Sequence, residues 1–421
     1  MDIEFGYGDG VITVAVPDEN LMGILYANVI EHERFGTDAV SYALQHPIGK
    51  PYLRKMVRSD DKIVIIVSDI SRPVPSYEIL PAILDELYAA NCKKENIKII
   101  FALGSHRNHT EDEKRKLVGN RVYNTIECMD SNDYGFRHIG TTRAGTPVDI
   151  CAAVAEADFR ICTGNIEFHY FAGYSGGAKA IMPGVSSPEA IQVNHRMMTL
   201  ENARSGKLED NPVREDIEEA GRICGIDYIV NVVLDENKRI AYAVAGDAKK
   251  AYKEGCKVLD MMYRKEIKEK ADIVIVGQGG APKDSSLYQV QKALDNAKHA
   301  VREGGTIILV GACQEGLGNK KFEDWLKNAP TAHSIIDRIN KKFELGGHKA
   351  AAIAMVLEKV RIDLVSELED GLVRSIHLNP QPSVKRALDE AIKRYSKNAT
   401  VLAMPFGDAT LPFVNEKEVR K

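Results

Sequence analysis

The sequence predicts an α/β protein of two α/β domains, whose mainly parallel sheets face each other across a cleft. Three observations lead to this prediction. Continuous apolar runs such as KIVIIVSD (62–69) end in polar residues, which is typical of buried parallel strands. Amphipathic segments of helical length alternate with these runs. The chain has 421 residues, which at about 100 to 200 residues per domain suggests two domains or three.

The predicted elements follow one another in a regular order. Residues 1–20 alternate apolar and polar side chains and predict a hairpin that turns at Gly8-Asp9-Gly10. The segment SYEILPAILDELYAANC (76–92) predicts an amphipathic helix after the strand at 62–69. The same two patterns recur as predicted strands at 96–106, 157–166, 271–280 and 304–313 and as a predicted helix at 289–301. This alternation favours parallel sheets that are covered by helices.

A charged segment, YRKEIKEKAD (263–272), separates the two sets of strands. It predicts a helix that precedes a fresh strand, and therefore a domain boundary. The first domain is expected to span 1–265 and to carry most of the candidate site, and the second domain is expected to span 266–410. Residues 411–421, which end in NEKEVRK, predict a solvated tail.

The composition argues against several classes of protein. A net charge of −4 gives no basic surface for nucleic acid. No apolar run reaches the roughly 18 residues that cross a bilayer, so no membrane partner is expected. The first ten residues, MDIEFGYGDG, lack the basic and apolar regions of a signal peptide. The seven cysteines are scattered and form no CxxC pair, which favours reduced thiols in a cytoplasmic protein.

Polar side chains follow four of the predicted strands. In an open parallel sheet, ligands bind beyond the carboxyl ends of the strands, so these side chains are candidates for a site. They are Asp69 and Arg72 in IIVSDISRP, His106 in IIFALGSHRNH, His169 and Lys179 in ICTGNIEFHYFAGYSGGAK, and Tyr288, Gln289 and Lys292 in VIVGQGGAPKDSSLYQVQK. Because these side chains recur at one edge of each predicted sheet, they indicate one site rather than unrelated polar residues on the surface.

Purely structural explanations remain open for the charged residues. Asp69 could cap the helix that begins near Pro75, and Arg72 could pair with Asp69 at the surface. Among the histidines, His106 and His109 lie in a polar loop, where a single histidine is usually solvated.

His169 lies between aromatic residues and could be a satisfied core residue, while His195 in QVNHRMM could face solvent from a helix. Three of these histidines at strand ends, together with an arginine and a lysine, favour a functional site. Histidine is the natural general acid and base near neutral pH.

The segment FHYFAGYSGGAKAIMP (168–183) combines three glycines with one lysine. It is not a phosphate-binding loop of the Walker type, because Ala178 replaces the second glycine and Ala180 replaces the Ser or Thr that would hold magnesium. The first predicted strand–helix turn also lacks a dinucleotide fingerprint, and GQGGAP (277–282) matches one only in part. Glycines allow a ligand to approach the backbone closely. Lys179 in such a turn could be a nucleophile that binds a cofactor covalently.

Taken together, SDISRP, GSHR, EFHYFAGYSGGAKAIMPG, the NH of QVNHR, and YQVQK resemble the lactate racemase family over nearly the whole chain. The spacing of ten residues from His169 to Lys179, and of sixteen from there to His195, matches that family. Its members depend on nickel and use a nickel-pincer nucleotide (pyridinium-3-thioamide-5-thiocarboxylic acid mononucleotide). The resemblance implies a racemase that interconverts D- and L-lactate, and it implies separate cofactor-biosynthesis proteins as partners.

The resemblance also implies a role for each candidate residue. Lys179 is expected to carry the cofactor covalently, and His195 is expected to be the protein's ligand to nickel. Two sulfurs and a carbon of the cofactor would supply the other donors, which suits a single protein ligand. Asp69 and Tyr288 are expected to contact the cofactor.

By the same resemblance, His106 and His169 form the acid–base pair. One histidine takes the hydroxyl proton while hydride moves to the cofactor, and the other serves the opposite enantiomer of the 2-hydroxy acid. The remaining roles concern the substrate carboxylate. Arg72 offers a planar fork for it. Its expected further partners are Gln289 and Lys292, at i and i+3 of one helix.

Several alternatives stay open at the level of sequence. Some lactate racemases carry a tryptophan in the second domain's pocket wall, where FELGGHKAAA (343–352) stands here. The substrate could therefore be a larger 2-hydroxy acid, such as malate, an aryl-lactate or a sugar acid. A nucleotide- or nickel-binding protein without catalysis would explain Lys179 and His195 but not His106 or Arg72. An NAD-dependent dehydrogenase is disfavoured, because the fingerprint turn is missing.

Overall fold

A computed structural model describes residues 1–28, 30–31 and 33–415. The strands within these ranges are, in chain order, β1 (Asp2–Tyr7), β2 (Gly10–Ala15), β3 (Leu21–Ile24), β4 (Ile63–Ser68), β5 (Ile97–Ala102), β6 (Glu127–Asp130), β7 (Phe136–Thr141), β8 (Pro147–Cys151), β9 (Phe159–Asn165), β10 (Phe168–His169), β11 (Gly173–Tyr174), β12 (Tyr228–Leu234), β13 (Ile240–Gly246), β14 (Arg264–Ile267), β15 (Ala271–Gly277), β16 (Val301–Val310), β17 (Arg361–Val365), β18 (Asn379–Pro380), β19 (Val401–Met404) and β20 (Leu411–Val414).

The helices alternate with these strands. They are α1 (Gly36–Gln45), α2 (Ser76–Ala89), α3 (Glu111–Val118), α4 (Asn120–Tyr123), α5 (Ala152–Ala155), α6 (Pro188–Arg196), α7 (Pro212–Cys224), α8 (Lys250–Tyr263), α9 (Leu287–Ala297), α10 (Lys320–Lys327), α11 (Ala332–Lys341), α12 (Gly347–Leu357), α13 (Asp370–Ser375) and α14 (Val384–Tyr395). Short 3-10 helices lie at Leu53–Lys55, Lys94–Asn96, Gly177–Ala180, Met197–Thr199 and Gly407–Ala409. Within the described ranges, no helix combines the length and apolarity needed to span a bilayer.

The first compact unit comprises residues 30–261. Its central sheet has the order β13-β12-β9-β4-β5-β6, and all neighbours are parallel except β12 and β13. The run IVIIVS forms β4 because its β-branched side chains are buried on both faces of the sheet. The apolar stripe of α2, which includes Ile79, Ile83 and Leu87, packs into the same core. The strands predicted at 62–69, 96–106 and 157–166 and the helix at 76–92 are confirmed.

This sheet has a switch point between β4 and β9. The chain passes from β4 outward to β5 and then β6 on one side, and later returns to place β9 on the other side of β4. In a doubly wound sheet, ligands bind at the carboxyl ends of the strands beside such a switch point.

The second compact unit comprises residues 1–29 and 262–421. Its six-stranded sheet has the order β18-β17-β16-β15-β19-β3 and is parallel throughout. The strands predicted at 271–280 and 304–313 are its central pair, β15 and β16, and α9 matches the helix predicted at 289–301. The hairpin predicted in the first 20 residues is confirmed as β1 and β2, paired from Tyr7↔Gly10 to Asp2↔Ala15.

The predicted domain limits need correction at the two ends of the chain. Residues 1–29 belong to the second unit and not to the first, because β3 pairs with β19 at the sheet edge and β1 packs against β15. Strand pairing across the whole length of the chain decides this membership, and no local pattern reveals it. The chain passes between the units at 261/262, close to the predicted boundary at 265/266.

The segments 263–272 and 411–421 also differ from their predictions. Residues 264–267 form β14 instead of a helix, and they pair in parallel with β20, which lies in the stretch predicted to be a solvated tail. The charged side chains of RKEI misled the prediction, because a strand outside the central sheets can carry them. Residues 416–421 of the predicted tail lie outside the described residues.

Candidate active site

Asp69 and His106 form a hydrogen-bonded dyad at the carboxyl ends of β4 and β5. The buried Asp69 accepts a hydrogen bond of 2.7 Å from Nδ1 of His106 and one of 3.0 Å from the Ser71 hydroxyl. Burial alone would raise the pKa of the Asp69 carboxyl, but the contacts of His106 and Ser71 outweigh it, so the pKa lies below its usual value. The ionised carboxylate holds the proton on Nδ1, and Nε2 of His106 therefore carries the lone pair of a base.

A second histidine–carboxylate pair supports the turn after β4. Nδ1 of His109 donates to Asp130 over 2.6 Å, and the backbone N–H of Ile70 donates to Nε2 of His109 over 3.0 Å. Asp130 is the last residue of β6, which lies two strands away from β4 in the sheet. The His109–Asp130 pair therefore holds the turn after β4, which carries Asp69. Because His109 is buried, the interpretation of this residue as a solvated loop histidine is wrong. In the sequence, His109 differs from other polar loop residues only in following His106 by three residues.

Asp69 does not cap the helix that follows. Pro75 is the N-cap residue of α2, and no side chain donates or accepts a capping bond there. Arg72 does not pair with Asp69 either, since its guanidinium lies 3.9 Å from Glu167, just beyond β9. Both side chains of this pair are 38% exposed. Arg72 and Glu167 thus lie at the two strands that flank the switch point.

The glycine-rich segment folds into a small hairpin followed by a 3-10 turn. β10 pairs with β11, so that His169 lies opposite Gly173. Gly173 has a φ of +77°, and a Cβ there would lie 2.1 Å from the carbonyl oxygen of Lys207. The backbone N–H of Gly177 donates to the buried Asn231 side chain over 2.7 Å, which anchors the turn that carries Lys179.

We expect Gly173→Ala to lower the free energy of unfolding by about 2–4 kcal/mol, because both the positive φ and the collision with Lys207 oppose a side chain. Gly135→Ala is the matched control, since Gly135 has a φ of +70° but no heavy atom within 4 Å of a Cβ. Its cost should be only the strain of the backbone, about 1 kcal/mol. Urea unfolding of both variants measures the difference, and equal losses would contradict the close packing of Gly173.

Arg214 stabilises the turn that carries Lys179. It is completely buried and donates to the carbonyl oxygens of Tyr174 (3.2 Å) and Gly176 (3.3 Å). Its charge is balanced by Glu218, whose carboxylate accepts from Nε over 2.8 Å, and its guanidinium lies 4.1 Å from the centre of the Tyr252 ring. Sequence reasoning missed Arg214, because an arginine in an amphipathic helix ordinarily reads as solvent-exposed.

Lys179 is buried in the turn that Arg214 supports. Burial lowers the pKa of its ammonium well below the usual value, and the charges of Arg72 and Arg214 lower it further. The carboxylate of Glu167 opposes this shift only in part. A lysine in this environment favours the neutral amine, which is the nucleophilic form.

The ring of Phe171 brings three of the predicted residues together. The edge of the His169 ring lies against it at a centroid distance of 4.5 Å, and the His195 ring lies at 4.9 Å. Nζ of Lys179 lies 5.8 Å from the centre of the same ring. Residues from β10, the 3-10 turn and α6 therefore surround one aromatic side chain. No pattern in the sequence distinguishes Phe171 from the neighbouring aromatic residues.

His195 lies near the end of α6 and is buried, so the alternative of a solvated helix face is wrong. Its Nδ1 is 2.8 Å from Oδ1 of Asn194. The Nδ1 atom of His169 is instead a hydrogen-bond acceptor, since the backbone N–H of Ala172 donates to it over 3.3 Å. In their neutral forms His169 thus carries its proton on Nε2, whereas His106 carries its proton on Nδ1. In these neutral forms the two rings therefore differ in which nitrogen carries the lone pair.

The residues predicted from the second unit lie on the first turns of α9. The Tyr288 ring packs edge-on against Phe322 at 5.4 Å, and Nζ of Lys349 lies 3.9 Å from the centre of the ring on Tyr288. The same ammonium donates to the Tyr288 carbonyl over 2.6 Å. Gln289 is half-buried and Lys292 is exposed. Their participation in one site with the residues of the first unit stays a prediction.

The described residues contain no group of three or more His, Cys, Asp or Glu side chains that could hold a metal ion. A buried imidazole such as that of His195 is a common kind of metal ligand. Nitrogen from imidazole together with sulfur from a cofactor is a donor set that suits nickel.

Comparison with known proteins defines the class. Residues 7–206 match the model of the lactate racemase N-terminal domain, and residues 267–411 match that of the lactate racemase C-terminal domain. The chain is 32% identical over 428 residues to the lactate racemase of Thermoanaerobacterium thermosaccharolyticum, which covers 99% of this chain and 100% of that protein. It is also 32% identical over 426 residues to the lactate racemase of Lactiplantibacillus plantarum, covering 96% and 98%. These relatives are racemases, which are isomerases. The chain belongs to the lactate racemase family.

Solved structures agree with this assignment. The lactate racemase apoprotein from Thermoanaerobacterium thermosaccharolyticum superimposes with a TM-score of 0.89 at 31% sequence identity, covering 99% of this chain and 100% of that one. A Thermotoga maritima protein from a structural genomics programme has a TM-score of 0.62 at 17% identity and covers 90% of this chain, which shows a shared fold alone. The predicted fold class of two α/β domains with mainly parallel sheets is confirmed.

Proposed function

We propose that this enzyme racemises a 2-hydroxy acid and that its substrates are D- and L-lactate. The observation that carries the proposal is the grouping of His169, Lys179 and His195 around Phe171, in the unit whose strand ends also hold the Asp69–His106 dyad. A binding protein would need the buried lysine and His195. It would have no use for His106 and His169 as proton donors and acceptors.

Lys179 and His195 would hold a nickel-pincer nucleotide, Lys179 by a covalent bond and His195 as a nickel ligand. The fit rests on the lowered pKa of the Lys179 ammonium and on the Nδ1 contact of His195. When bound, this cofactor supplies an acceptor for the hydride from C2 of the substrate. Proteins that synthesise the cofactor are the partners this requires. The seven free thiols fit a reducing compartment, and we assign the protein to the cytoplasm.

The proton steps belong to the two histidines. For one enantiomer, Nε2 of His106 takes the hydroxyl proton while C2 loses its hydrogen with the bonding electrons, which leaves a planar 2-keto acid. Hydride would then be delivered to the opposite face of C2, and His169, present as the imidazolium in this half of the cycle, would give a proton to the carbonyl oxygen and become a neutral imidazole. The other enantiomer uses the two histidines in exchanged roles. Asp69 stabilises the imidazolium that forms on His106.

Arg72 would bind the substrate carboxylate by a two-point contact, in place of its long contact with Glu167. Gln289 and Lys292 would add hydrogen bonds to the same anion, while Asp69 and Tyr288 would lie beside the cofactor. A larger acid with a second anionic group is the other candidate substrate. The buried Lys349, whose Nζ lies 3.9 Å from the centre of the Tyr288 ring, favours it.

The test is to produce the full chain together with the cofactor-synthesis proteins and to measure intact mass, peptide masses and nickel on one sample. We expect a mass increment on the peptide that contains Lys179, with about one nickel per chain. A panel of D- and L-2-hydroxy acids, including lactate and malate, then identifies the substrate. An increment with nickel but no turnover on any acid would support a cofactor carrier instead. An unmodified Lys179 despite an active synthesis pathway would overturn the proposal.

A further inference from the structure

We infer that Asp216, acting through Asn194, fixes the ring of His195 in the tautomer whose Nε2 carries the lone pair. Asn194 and Asp216 are then positioning residues for the proposed nickel ligand. The inference rests on the proposed function for the role of His195. The hydrogen-bond chain that carries it is a property of the polypeptide alone.

The first step is the orientation of the Asn194 side chain, which is completely buried. Its Nδ2 faces two acceptors, Oδ2 of Asp216 at 2.7 Å and the carbonyl oxygen of Val213 at 3.3 Å. Both can only accept, so the amide nitrogen must lie on this side. Oδ1 of Asn194 therefore points the other way, toward Nδ1 of His195.

The second step is the proton on His195. An amide oxygen only accepts hydrogen bonds, and it lies 2.8 Å from Nδ1 of His195. A hydrogen bond at this distance requires the proton on Nδ1. The neutral ring then has its lone pair on Nε2, which is the form that a metal binds.

The third step is the environment that keeps Asp216 an acceptor. Its Oδ2 also accepts from the Thr146 hydroxyl over 2.8 Å, and its Oδ1 accepts from the Thr142 hydroxyl. The Thr142 hydroxyl oxygen accepts from the backbone N–H of Thr146 at 3.1 Å, which turns its own proton toward the carboxylate. Both threonines flank the turn between β7 and β8. Hydroxyl groups of the hairpin β7–β8 thus donate to Asp216, which in turn accepts from Asn194.

The direct test uses the full chain, produced without cofactor and labelled with ¹⁵N in its 11 histidines. Two-bond ¹H–¹⁵N spectra distinguish protonated from unprotonated ring nitrogens, and His195→Gln assigns the signals. At a pH where the rings are neutral, we expect His195 to show a protonated Nδ1 and an unprotonated Nε2. The reverse pattern, or an average of the two, would overturn the inference.

Two variants separate positioning from mere packing. Asn194→Leu removes the acceptor, so the single pattern of His195 should be lost and both tautomers should appear. The double exchange Asn194→Asp with Asp216→Asn keeps an acceptor at position 194 for Nδ1 of His195. The amide at position 216 then donates to the carboxylate at position 194, so the wild-type pattern of His195 should persist. A wild-type pattern in folded Asn194→Leu, or its loss in the folded exchange variant, would contradict the role. If Asn194→Leu does not fold, the exchange variant and the wild-type spectrum decide.

The nickel role has its own measurement. In chains produced with the cofactor-synthesis proteins, Asn194→Leu should bind nickel about 10- to 100-fold more weakly than wild type, and the exchange variant should keep it. Unchanged nickel retention alongside the expected spectra would count against His195 as the ligand. It would leave the tautomer assignment supported, so the two ideas fail separately.

Discussion

His106→Gln and His169→Gln should each abolish racemisation, with turnover reduced by about 10²- to 10⁴-fold in both directions. Racemisation needs a proton acceptor for each enantiomer, and glutamine can hydrogen-bond but cannot exchange a proton at neutral pH. Both variants should keep the cofactor and its nickel, because neither side chain is assigned to hold them. Turnover from D- and from L-lactate, measured on chains with confirmed nickel content, gives the result.

A single-turnover experiment tests the division of labour between the two histidines. Each variant should still form bound 2-keto acid from the one enantiomer that its remaining histidine serves, and the two variants should prefer opposite enantiomers. Rapid quenching followed by assay of the keto acid measures this. His333→Gln is the control, since His333 is an exposed side chain of α11. Loss of the same enantiomer in both variants would contradict a two-base mechanism.

Lys179→Met should prevent covalent attachment and remove racemisation completely, while it makes the cofactor-free chain more stable at neutral pH. Methionine fills the same buried space without a group that must lose a proton on folding. The physical reason is the pKa of the Lys179 ammonium, which burial and the charges of Arg72 and Arg214 lower far below its usual value. An unchanged mass increment in the variant would rule out Lys179 as the attachment point.

The sign of the pH dependence follows from that shift. Between the lowered pKa of the folded chain and the usual value of about 10.4, the unfolded chain binds a proton on Lys179 that the folded chain does not. The stability of the wild-type chain should therefore rise with pH in this window, relative to Lys179→Met, by up to about 1.4 kcal/mol per pH unit. Lys385→Met, at a side chain that is 76% exposed, should leave the slope unchanged. Parallel curves for wild type and Lys179→Met would contradict a depressed pKa.

The sequence predicted those features that depend on local pattern. The run IVIIVS defines β4 because both faces of a parallel strand are buried, and Asp69 and His106 follow from the rule that ligands gather at the carboxyl ends of strands. The resemblance to the family rests on five short motifs, namely SDISRP, GSHR, EFHYFAGYSGGAKAIMPG, the NH of QVNHR, and YQVQK. These features need only neighbouring residues, so they can be read before the fold is known.

The remaining features depend on partners that are distant in sequence. The strand at 264–267 exists because it pairs with residues 411–414, and its own side chains favour no such structure. His109 and Asn194 appear as ordinary polar residues until Asp130 and Asp216 are placed beside them. Phe171 becomes central only when three elements converge on its ring. Long-range pairing and hydrogen-bond direction are what the sequence leaves undetermined.

The pairing of β3 with β19 also sets an order of events during synthesis. Residues 30–261 are continuous and contain every partner of their own sheet, so this unit can fold as soon as it leaves the ribosome. Residues 21–24 must wait for residues 401–404, which are synthesised much later, before their edge is paired. The loop that this pairing closes is very long, and such distant contacts form slowly. Strand β3 is therefore synthesised before the central sheet of residues 30–261 but reaches its final place after it.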